Sequence, residues 1–217
     1  MQDKKNFYIN GQWVSPIEPR SFAVINPATE EPCAEISLGG KKDVDAAVTS
    51  AKKAFETWGF TTKEERLNLF EKLYEIYKKN WDQMAKTISL EMGAPIDFST
   101  ELQTKTGASH IKSFKNILKN FKFEKTLDEE KNQTILYEPK GVCALITPWN
   151  WPINQVNLKV IPALAAGCTV VLKPSEIAPL SSMLLAEMMH DAGFPKGVFN
   201  LVNGDGAVTG DALTSHP

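Results

Sequence analysis

Three polar segments near the end of the sequence could carry chemistry, because each follows an apolar run with the length of a buried strand. They comprise residues 147–150 (TPWN), 173–176 (KPSE) and 203–206 (NGDG). In a parallel sheet the carboxyl ends of the strands lie at one edge, and open α/β sheets bind ligands there. The sequence therefore predicts one polar site assembled from three segments that are distant along the chain.

Asn150 is a candidate for a catalytic group. It follows a predicted strand and precedes Trp151 and Pro152, close to the start of a predicted helix. An uncharged amide at this place can donate a hydrogen bond to a developing oxyanion. The alternative is a helix cap, which Asn often forms. The local sequence by itself favours the cap.

Lys173 and Glu176 are almost the only charged residues at these predicted strand ends. A lysine here can donate to ribose hydroxyls, and a carboxylate can accept from them. If Glu176 faces the adenosine ribose, it repels a 2′-phosphate and favours NAD over NADP. The alternative is a solvated ion pair at a loop, and the local sequence leaves both interpretations open.

Three glycines follow the last of the predicted strands. Gly204, Gly206 and Gly210 form the pattern G-x-G-x-x-x-G, one residue off the dinucleotide-binding fingerprint. The pattern precedes a predicted helix, whose first backbone N–H groups could meet a phosphate. However, it follows the third strand of this region rather than the first. It supports nucleotide binding without establishing it.

The elements that must position these groups alternate regularly after Gly141. Strand patterns cover residues 142–147, 169–172 and 198–202, helix patterns cover 153–166 and 179–191, and another helix starts after Gly206. Alternating strands and helices with short connections are typical of an α/β fold with a parallel, doubly wound sheet.

The preceding residues predict short strands followed by helices. Asn10-Gly11 predicts a hairpin turn. The predicted strands are 7–9, 12–14, 22–25 and 33–36, and the helix patterns run from 44 to 58, from a capping box at Thr62 to Gly93, and from 96 to 121. Residues 122–133 are interpreted as a loop or exposed arm that leads into a strand at 134–137. We therefore divide the chain into residues 1–121, 122–140 and 141–217.

Composition excludes several classes of protein. The chain has 217 residues, 42% of them hydrophobic, and a net charge of −2, which argues against a disordered protein. A pI near 6.0 gives no basic field for nucleic acid. No apolar stretch has the length of a membrane span, so we expect no membrane partner and a cytoplasmic location.

The cysteines indicate neither disulfides nor a metal site. Cys33, Cys143 and Cys168 are too few and too scattered for a disulfide framework or a zinc site. Cys143 and Cys168 lie in apolar runs, so we interpret both as small buried hydrophobic residues. No metal ligand is predicted.

Taken together, the segments resemble the NAD(P)-dependent aldehyde dehydrogenase superfamily. The resemblance is carried by residues 146–152 (ITPWNWP) and 161–176 (IPALAAGCTVVLKPSE), with further support from 8–13 (YINGQW), 25–29 (INPAT), 194–200 (FPKGVFN) and the glycine turn. It runs along the whole chain in the right order, and it corresponds to the N-terminal portion of that superfamily. It implies an aldehyde dehydrogenase-like α/β fold with an incomplete doubly wound sheet after N-terminal strands and helices.

The resemblance also implies roles for individual residues. Asn150 becomes the oxyanion donor rather than a cap, and Lys159 matches a lysine linked to proton handling. Trp151, Gln155 and Leu158 match positions that shape the aldehyde tunnel. The implied cofactor is NAD, with NADP not excluded, and the implied cofactor-binding residues are Ile146, Thr147, Pro148, Trp149, Lys173, Ser175, Glu176, Gly206 and Gly210.

In that family a cysteine thiolate attacks the aldehyde to give a thiohemiacetal, hydride passes to the nicotinamide, and a glutamate-activated water releases the acid. Cys33, Cys143 and Cys168 do not match the nucleophile motif, and the nucleophile and the glutamate belong to segments beyond residue 217. We therefore expect no dehydrogenase activity from these residues alone, although the full-length parent would be a homo-oligomer that oxidises an aldehyde. The alternative is a non-catalytic module that binds a nucleotide or assembles with a partner chain.

Overall fold

The computed structural model describes residues 1–128 and 132–217. Residues 129–131, which belong to the predicted loop or arm, lie outside the described residues. The strands in chain order are β1 Gln2–Lys4, β2 Phe7–Ile9, β3 Gln12–Val14, β4 Arg20–Asn26, β5 Glu31–Leu38, β6 Glu124–Asp128, β7 Gln133–Leu136, β8 Val142–Ile146, β9 Thr169–Lys173 and β10 Phe199–Leu201. The helices are α1 Lys41–Trp58, α2 Lys63–Lys79, α3 Trp81–Met92, α4 Ile96–Phe98, α5 Lys105–Asn120, α6 Pro152–Ala165, α7 Leu180–Asp191 and α8 Asp211–Thr214.

The main sheet has five strands in the order β3, β2, β10, β9, β8. β8, β9 and β10 are parallel, as the alternation of strand and helix patterns predicts, while β2 joins β10 in the antiparallel direction. β2 and β3 form the predicted hairpin, and Asn10 and Gly11 have φ values of 53° and 74°. Positive φ at both turn residues is what a type I′ turn requires, so this prediction is confirmed.

Helices cover both faces of the main sheet. Along β9, Val170 and Leu172 pack in the same apolar cluster as α6 and α7, whereas Val171 packs in the cluster that contains α1 residues. Successive side chains of a strand point to opposite faces, so a strand between two helical layers must be apolar throughout. This packing explains the continuous apolar runs, and it holds the carboxyl ends of the three parallel strands at one edge.

The second sheet, in the order β1, β5, β4, contains one strand that the sequence does not predict. Strands at 22–25 and 33–36 are confirmed, although both are longer than predicted. β1 was missed because Gln2–Lys4 is polar throughout and mostly exposed. It is a strand only because it pairs in parallel with β5, and that pairing leaves no pattern in the local sequence.

The helical pattern that starts at Thr62 is interrupted by Asn80. The predicted capping box is confirmed: Thr62 Oγ1 accepts the Glu65 N–H at 3.2 Å, and the Glu65 carboxylate accepts the Thr62 N–H at 2.7 Å. The single helix predicted up to Gly93 is instead α2 followed by α3. The Asn80 side chain donates to Ile76 O at 2.9 Å, and such a local contact competes with continuation of the helix.

The predicted helix over 96–121 is interrupted as well. Between α4 and α5 the backbone forms a π-helical turn, Ser99–Thr104. Such turns insert an extra residue into a helix, and the periodicity of apolar residues does not reveal them.

Residues 122–133 were interpreted as a loop or an exposed arm. The loop alternative is wrong for Glu124–Asp128, which forms β6 and pairs with β7 in an antiparallel two-stranded sheet. This polar strand is mostly exposed, so neither burial nor alternation marks it in the sequence. Leu127 and Leu136 are exposed on this β6–β7 hairpin.

Within the described residues, no helix is long and apolar enough to cross a bilayer. The same residues contain no group of three or more His, Cys, Asp or Glu side chains that could hold a metal ion.

Candidate functional site

The carboxyl ends of β8, β9 and β10 bring the three polar segments together. Ile146 lies beside Lys173 in the register of β8 and β9, and the Thr147 N–H donates to Lys173 O at 3.2 Å. Lys173 Nζ in turn donates to Gly204 O at 2.6 Å. The assembly of one polar site from three distant segments, predicted from the strand ends, is therefore present in the structure.

Lys173 is buried at the centre of this site, with only 3% of its surface exposed. Its ammonium donates to Pro174 O at 2.9 Å and to Gly204 O at 2.6 Å, and it lies 3.5 Å from Glu176 Oε2. Burial lowers the pKa of Lys173, while the carboxylates of Glu176 and Asp205 oppose this shift. The interpretation of Lys173 and Glu176 as a solvated pair is wrong for Lys173, because its charge is held between two backbone segments.

Asp205 shapes the glycine turn. Its carboxylate accepts the Val208 N–H at 2.8 Å and forms an ion pair with Arg20 at 2.8 Å. Burial alone would raise the pKa of Asp205, but these hydrogen bonds and the charge of Arg20 outweigh it and lower the pKa. Arg20 also donates to Gly39 O at 3.0 Å, so it fastens the turn to the second sheet. No local pattern around Arg20 indicated this role.

The glycines of the turn meet different surroundings. A Cβ on Gly204 would lie 1.8 Å from Thr209 Oγ1, so a side chain at residue 204 is excluded by packing within the protein. A Cβ on Gly206 would meet no atom of the described residues within 4 Å. Space therefore remains open above Gly206, beside the first backbone groups of the π-helical turn Gly206–Gly210. The helix predicted after this turn is short, α8.

The segment after β8 presents both polar and apolar groups. Thr147 is buried, and its hydroxyl has no hydrogen-bond partner within the described residues. Trp149 is 47% exposed, and Ile146 and Pro148 are exposed beside it. Ser175 is buried on the neighbouring segment, where its hydroxyl accepts the Ile177 N–H at 3.3 Å. Apolar side chains next to an unpartnered hydroxyl form a surface that can bind a ligand with both polar and apolar groups.

Asn150 is exposed and lies immediately before the N-cap of α6, which is Trp151. Among the residues that the structure describes, no side chain caps this helix end, so the cap that the local sequence favours is not formed. Within the described part of the chain, the Asn150 side chain makes no hydrogen bond, so its amide is free to donate to a ligand.

Trp151, Gln155 and Leu158 occupy one exposed or half-exposed side of α6, together with Lys159. Lys159 Nζ donates to Gln155 Oε1 at 3.3 Å. The Trp151 ring packs edge-on against Phe98, with 5.4 Å between the ring centroids. Phe98 was not identified from the sequence, because a contact across 53 residues depends on the geometry of the interrupted helix.

Comparisons with known proteins agree with this fold. The sequence model described as the aldehyde dehydrogenase family matches residues 13–217. A 3-succinoylsemialdehyde-pyridine dehydrogenase from a Pseudomonas species is 50% identical over 100% of this chain, which covers 45% of that protein. A putative aldehyde dehydrogenase from Staphylococcus aureus is 42% identical, again over 100% of this chain and 45% of that protein.

Solved structures extend the similarity to three dimensions. An aldehyde dehydrogenase from Bartonella henselae has a TM-score of 0.98 and 57% identity, covering 100% of this chain and 46% of its own. Aldehyde dehydrogenase C from Pseudomonas syringae, solved as a mutant with NAD⁺ and octanal, has a TM-score of 0.95 and 47% identity, covering 98% of this chain and 43% of its own. The chain thus spans less than half the length of the relatives it matches.

Proposed function

The chain belongs to the aldehyde dehydrogenase family, and from this premise we propose that its 217 residues are the N-terminal, cofactor-binding part of an enzyme that oxidises an aldehyde to a carboxylic acid with NAD. The observation that carries the proposal is the polar site at the carboxyl edge of the parallel strands, built around buried Lys173. The presence of NAD⁺ and octanal in the Pseudomonas syringae relative supports the same cofactor and substrate class.

The residues at this edge fit a dinucleotide. Lys173 has three donors; two are held by backbone carbonyls, and the third faces Glu176 at the longer distance of 3.5 Å. A ribose hydroxyl inserted between Lys173 and Glu176 would accept from the ammonium and donate to the carboxylate. The open space above Gly206 leaves room for the pyrophosphate.

Other residues of the site complete the proposed binding surface. We assign Gly210 to the same side of the cofactor as Gly206, and Ser175 to the ribose side. Thr147 offers an unpartnered hydroxyl, and Ile146, Pro148 and Trp149 supply apolar surface along the cofactor. A partly exposed carboxylate at Glu176 also repels a 2′-phosphate, which favours NAD over NADP.

For the chemical step, bound NAD supplies a hydride acceptor. Asn150 has a free, exposed amide that can donate to the oxygen of the aldehyde as negative charge develops on it. Trp151, Gln155 and Leu158, with Phe98 packed against Trp151, form the proposed wall for the aldehyde. The hydrogen bond from Lys159 to Gln155 on the same helix positions the ammonium of Lys159. We assign Lys159 to proton handling.

The cysteines of the chain do not supply the nucleophile in this proposal. Cys168 immediately precedes β9, whereas Lys173 ends it. Lys173 is five residue steps along the extended strand from Cys168, which places the two roughly 16 Å apart. Cys143 lies near the start of β8, and Cys33 belongs to the second sheet. None of the three can therefore attack an aldehyde held beside Asn150, and we propose that these 217 residues alone are inactive.

The remaining proposals concern organisation. We propose that residues 1–121 pack on the cofactor-binding residues 141–217, and that residues 122–140 form an oligomerisation arm in the full-length homo-oligomer. The exposed leucines of the β6–β7 hairpin support a role in contact with another chain. The cytoplasmic location stays a prediction from composition.

The experiment combines calorimetry with an activity assay on the purified 217-residue chain. We expect saturable binding of NAD, and no NADH absorbance when octanal is added at saturating NAD. A folded, monomeric chain that fails to bind NAD would contradict the cofactor assignment. NADH production that depends on octanal would contradict the assignment of catalytic inactivity.

A further inference from the structure

The π-helical turn Ser99–Thr104 determines which way Phe98 faces. Phe98 directly precedes this turn, and its ring packs edge-on against Trp151, with 5.4 Å between the ring centroids and 67° between the ring planes. Each residue of an α-helix adds about 100° of rotation, and a π-helical turn inserts one residue, so an uninterrupted helix would rotate Phe98 by about 100° around the helix axis. The contact with Trp151 therefore depends on the turn.

Tyr77 on α2 contacts the last residue of this turn. Its side chain is fully buried, and its hydroxyl donates to Thr104 O at 3.0 Å. π-Helical turns are rare, and they occur frequently at functional sites. Because breaking this hydrogen bond would leave a buried hydroxyl without a partner, the bond is costly to lose. Tyr77 therefore fixes the end of the turn from outside the helix.

The hydroxyl of Tyr77 also lies close to the point where α5 and α6 meet. A Cβ on Gly107 would lie 2.5 Å from Tyr77 Oη and 3.1 Å from the Ile153 side chain, so residue 107 has room for glycine only. Asn157 Nδ2 donates to Gly107 O at 3.0 Å. Ile153 and Asn157 lie on α6, the helix that begins directly after Trp151. Tyr77 is thus packed against the helix that carries most of the proposed aldehyde wall.

Polar residues of the turn itself make further contacts. Ser99, Gln103 and Thr104 are all fully buried. Gln103 Nε2 lies 3.5 Å from Met92 Sδ at the end of α3, and Ser99 Oγ donates to Ala94 O at 3.4 Å. These contacts hold the turn at the end of α3, while Tyr77 holds it at its last residue.

We propose that Tyr77 is a positioning residue for the aldehyde wall. Its hydroxyl fixes the π-helical turn, the turn holds Phe98 against Trp151, and Phe98 sets the plane of the Trp151 ring. Tyr77 is fully buried, so it acts through these residues and does not touch a ligand itself. The relevance to aldehyde binding rests on the proposed function, whereas the coupling of the three side chains can be measured without a ligand.

The test is the ¹⁹F spectrum of the ligand-free 217-residue chain labelled with 5-fluorotryptophan, in which Trp151→Phe assigns the Trp151 resonance. Phe98→Leu gives the position of that resonance when the Trp151 ring has lost its partner. We expect Tyr77→Phe to move the resonance toward this position. The double variant Tyr77→Phe/Phe98→Leu should show no further movement, because Tyr77 acts through Phe98.

Two further variants control the experiment. Tyr74→Phe removes a hydroxyl three residues earlier on α2, where the ring faces the ammonium groups of Lys78 and Lys115 at 5.2 and 5.6 Å from its centroid. It should leave the Trp151 resonance unchanged. Should Tyr77→Phe not fold, 4-fluorophenylalanine at residue 77 fills the volume of the hydroxyl without its proton, and we expect the same movement of the Trp151 resonance.

A merely structural role for Tyr77 gives a different result. Trp81 also packs against the Tyr77 ring, with 6.3 Å between the ring centroids, so its resonance should move whatever the role of the hydroxyl. The proposal is overturned if Tyr77→Phe moves the Trp81 resonance and leaves that of Trp151 unmoved. It is also overturned if the effect of Tyr77→Phe on Trp151 is the same with and without Phe98.

Titration with octanamide, an unreactive analogue of octanal, separates this proposal from the proposed function. We expect a saturable shift of the Trp151 resonance, and a dissociation constant roughly two- to tenfold higher in Tyr77→Phe, which is the usual effect of one hydrogen bond. Equal dissociation constants would contradict the positioning role. An unsubstituted chain that does not respond would contradict the proposed wall, and the ligand-free spectra would still decide the role of Tyr77.

Discussion

At the scale of single residues, the buried ammonium of Lys173 organises the site. It joins the segment after β9 to the glycine turn after β10, and its longest polar contact is the one to Glu176. The sequence allowed the types and approximate position of these residues to be predicted, because strand ends can be read from apolar runs. The burial of Lys173 could not be predicted, since it depends on carbonyl groups from two loops that converge only in the folded chain.

A change at Glu176 tests the discrimination between cofactors. Glu176→Gln removes the negative charge that opposes a 2′-phosphate but keeps a side chain of the same size. We expect the affinity for NADP relative to NAD to rise about tenfold, because a like charge at a partly exposed site costs on the order of 1 kcal/mol. Calorimetric titration with each nucleotide measures this ratio. Glu31→Gln, an exposed carboxylate on β5, is the control and should leave the ratio unchanged. An unchanged ratio in Glu176→Gln would count against the ribose assignment.

At the scale of elements, side chains from one element fix the ends of another. The capping box of α2 is local, and it was therefore predictable from the spacing of Thr62 and Glu65. The amino end of α7 is held instead by Glu91 from α3, which accepts the N–H groups of Leu180 and Ser181. A cap supplied by a residue 89 positions away leaves no local pattern in the sequence.

Glu91 makes stability depend on pH in a definite direction. Burial raises the pKa of its carboxyl from the ordinary value of 4.5 to about 7, so between these two pH values the folded chain holds a proton that the unfolded chain has lost. The free energy of unfolding should therefore fall as pH rises through this window, by roughly 2–3 kcal/mol from this group. Glu91→Gln should lose that part of the pH dependence. Urea unfolding of both proteins at pH 5 and pH 7.5 measures this change in the free energy of unfolding. The same change in both proteins would refute the assignment.

The glycine turn offers a matched pair of substitutions. In Gly204→Ala the new Cβ meets Thr209 Oγ1, so we expect the free energy of unfolding to fall by about 1–3 kcal/mol. In Gly206→Ala the Cβ enters open space, and stability should change by no more than about 0.5 kcal/mol. Urea unfolding of the two variants compares them directly. Equal losses of stability would show that the open space above Gly206 is not as the structure describes it.

At the scale of the whole molecule, the two sheets are tied together near the cofactor edge. Arg20 on β4 pairs with Asp205 and Gly39, and the Gly39 N–H donates to Asn203 O at 2.8 Å. The α/β class and the parallel strands were predictable, because burial on both faces leaves continuous apolar runs. The sequence did not allow β1, β6 and the two helix interruptions to be predicted, because pairing partners and long-range contacts determine them.

NAD is proposed to bind at the carboxyl edge of the parallel strands. The chain has five tryptophans, and labelling with 5-fluorotryptophan gives each one its own ¹⁹F resonance. Trp149 lies exposed at the proposed site, whereas Trp58 donates to Cys168 O at 3.0 Å at the opposite end of β9. Single Trp→Phe variants assign the two signals.

Titration with NAD then gives the most direct test. We expect a saturable shift of the Trp149 resonance, with the Trp58 resonance unchanged. A titration that shifts Trp58 and leaves Trp149 unmoved, or that shifts neither, would contradict it.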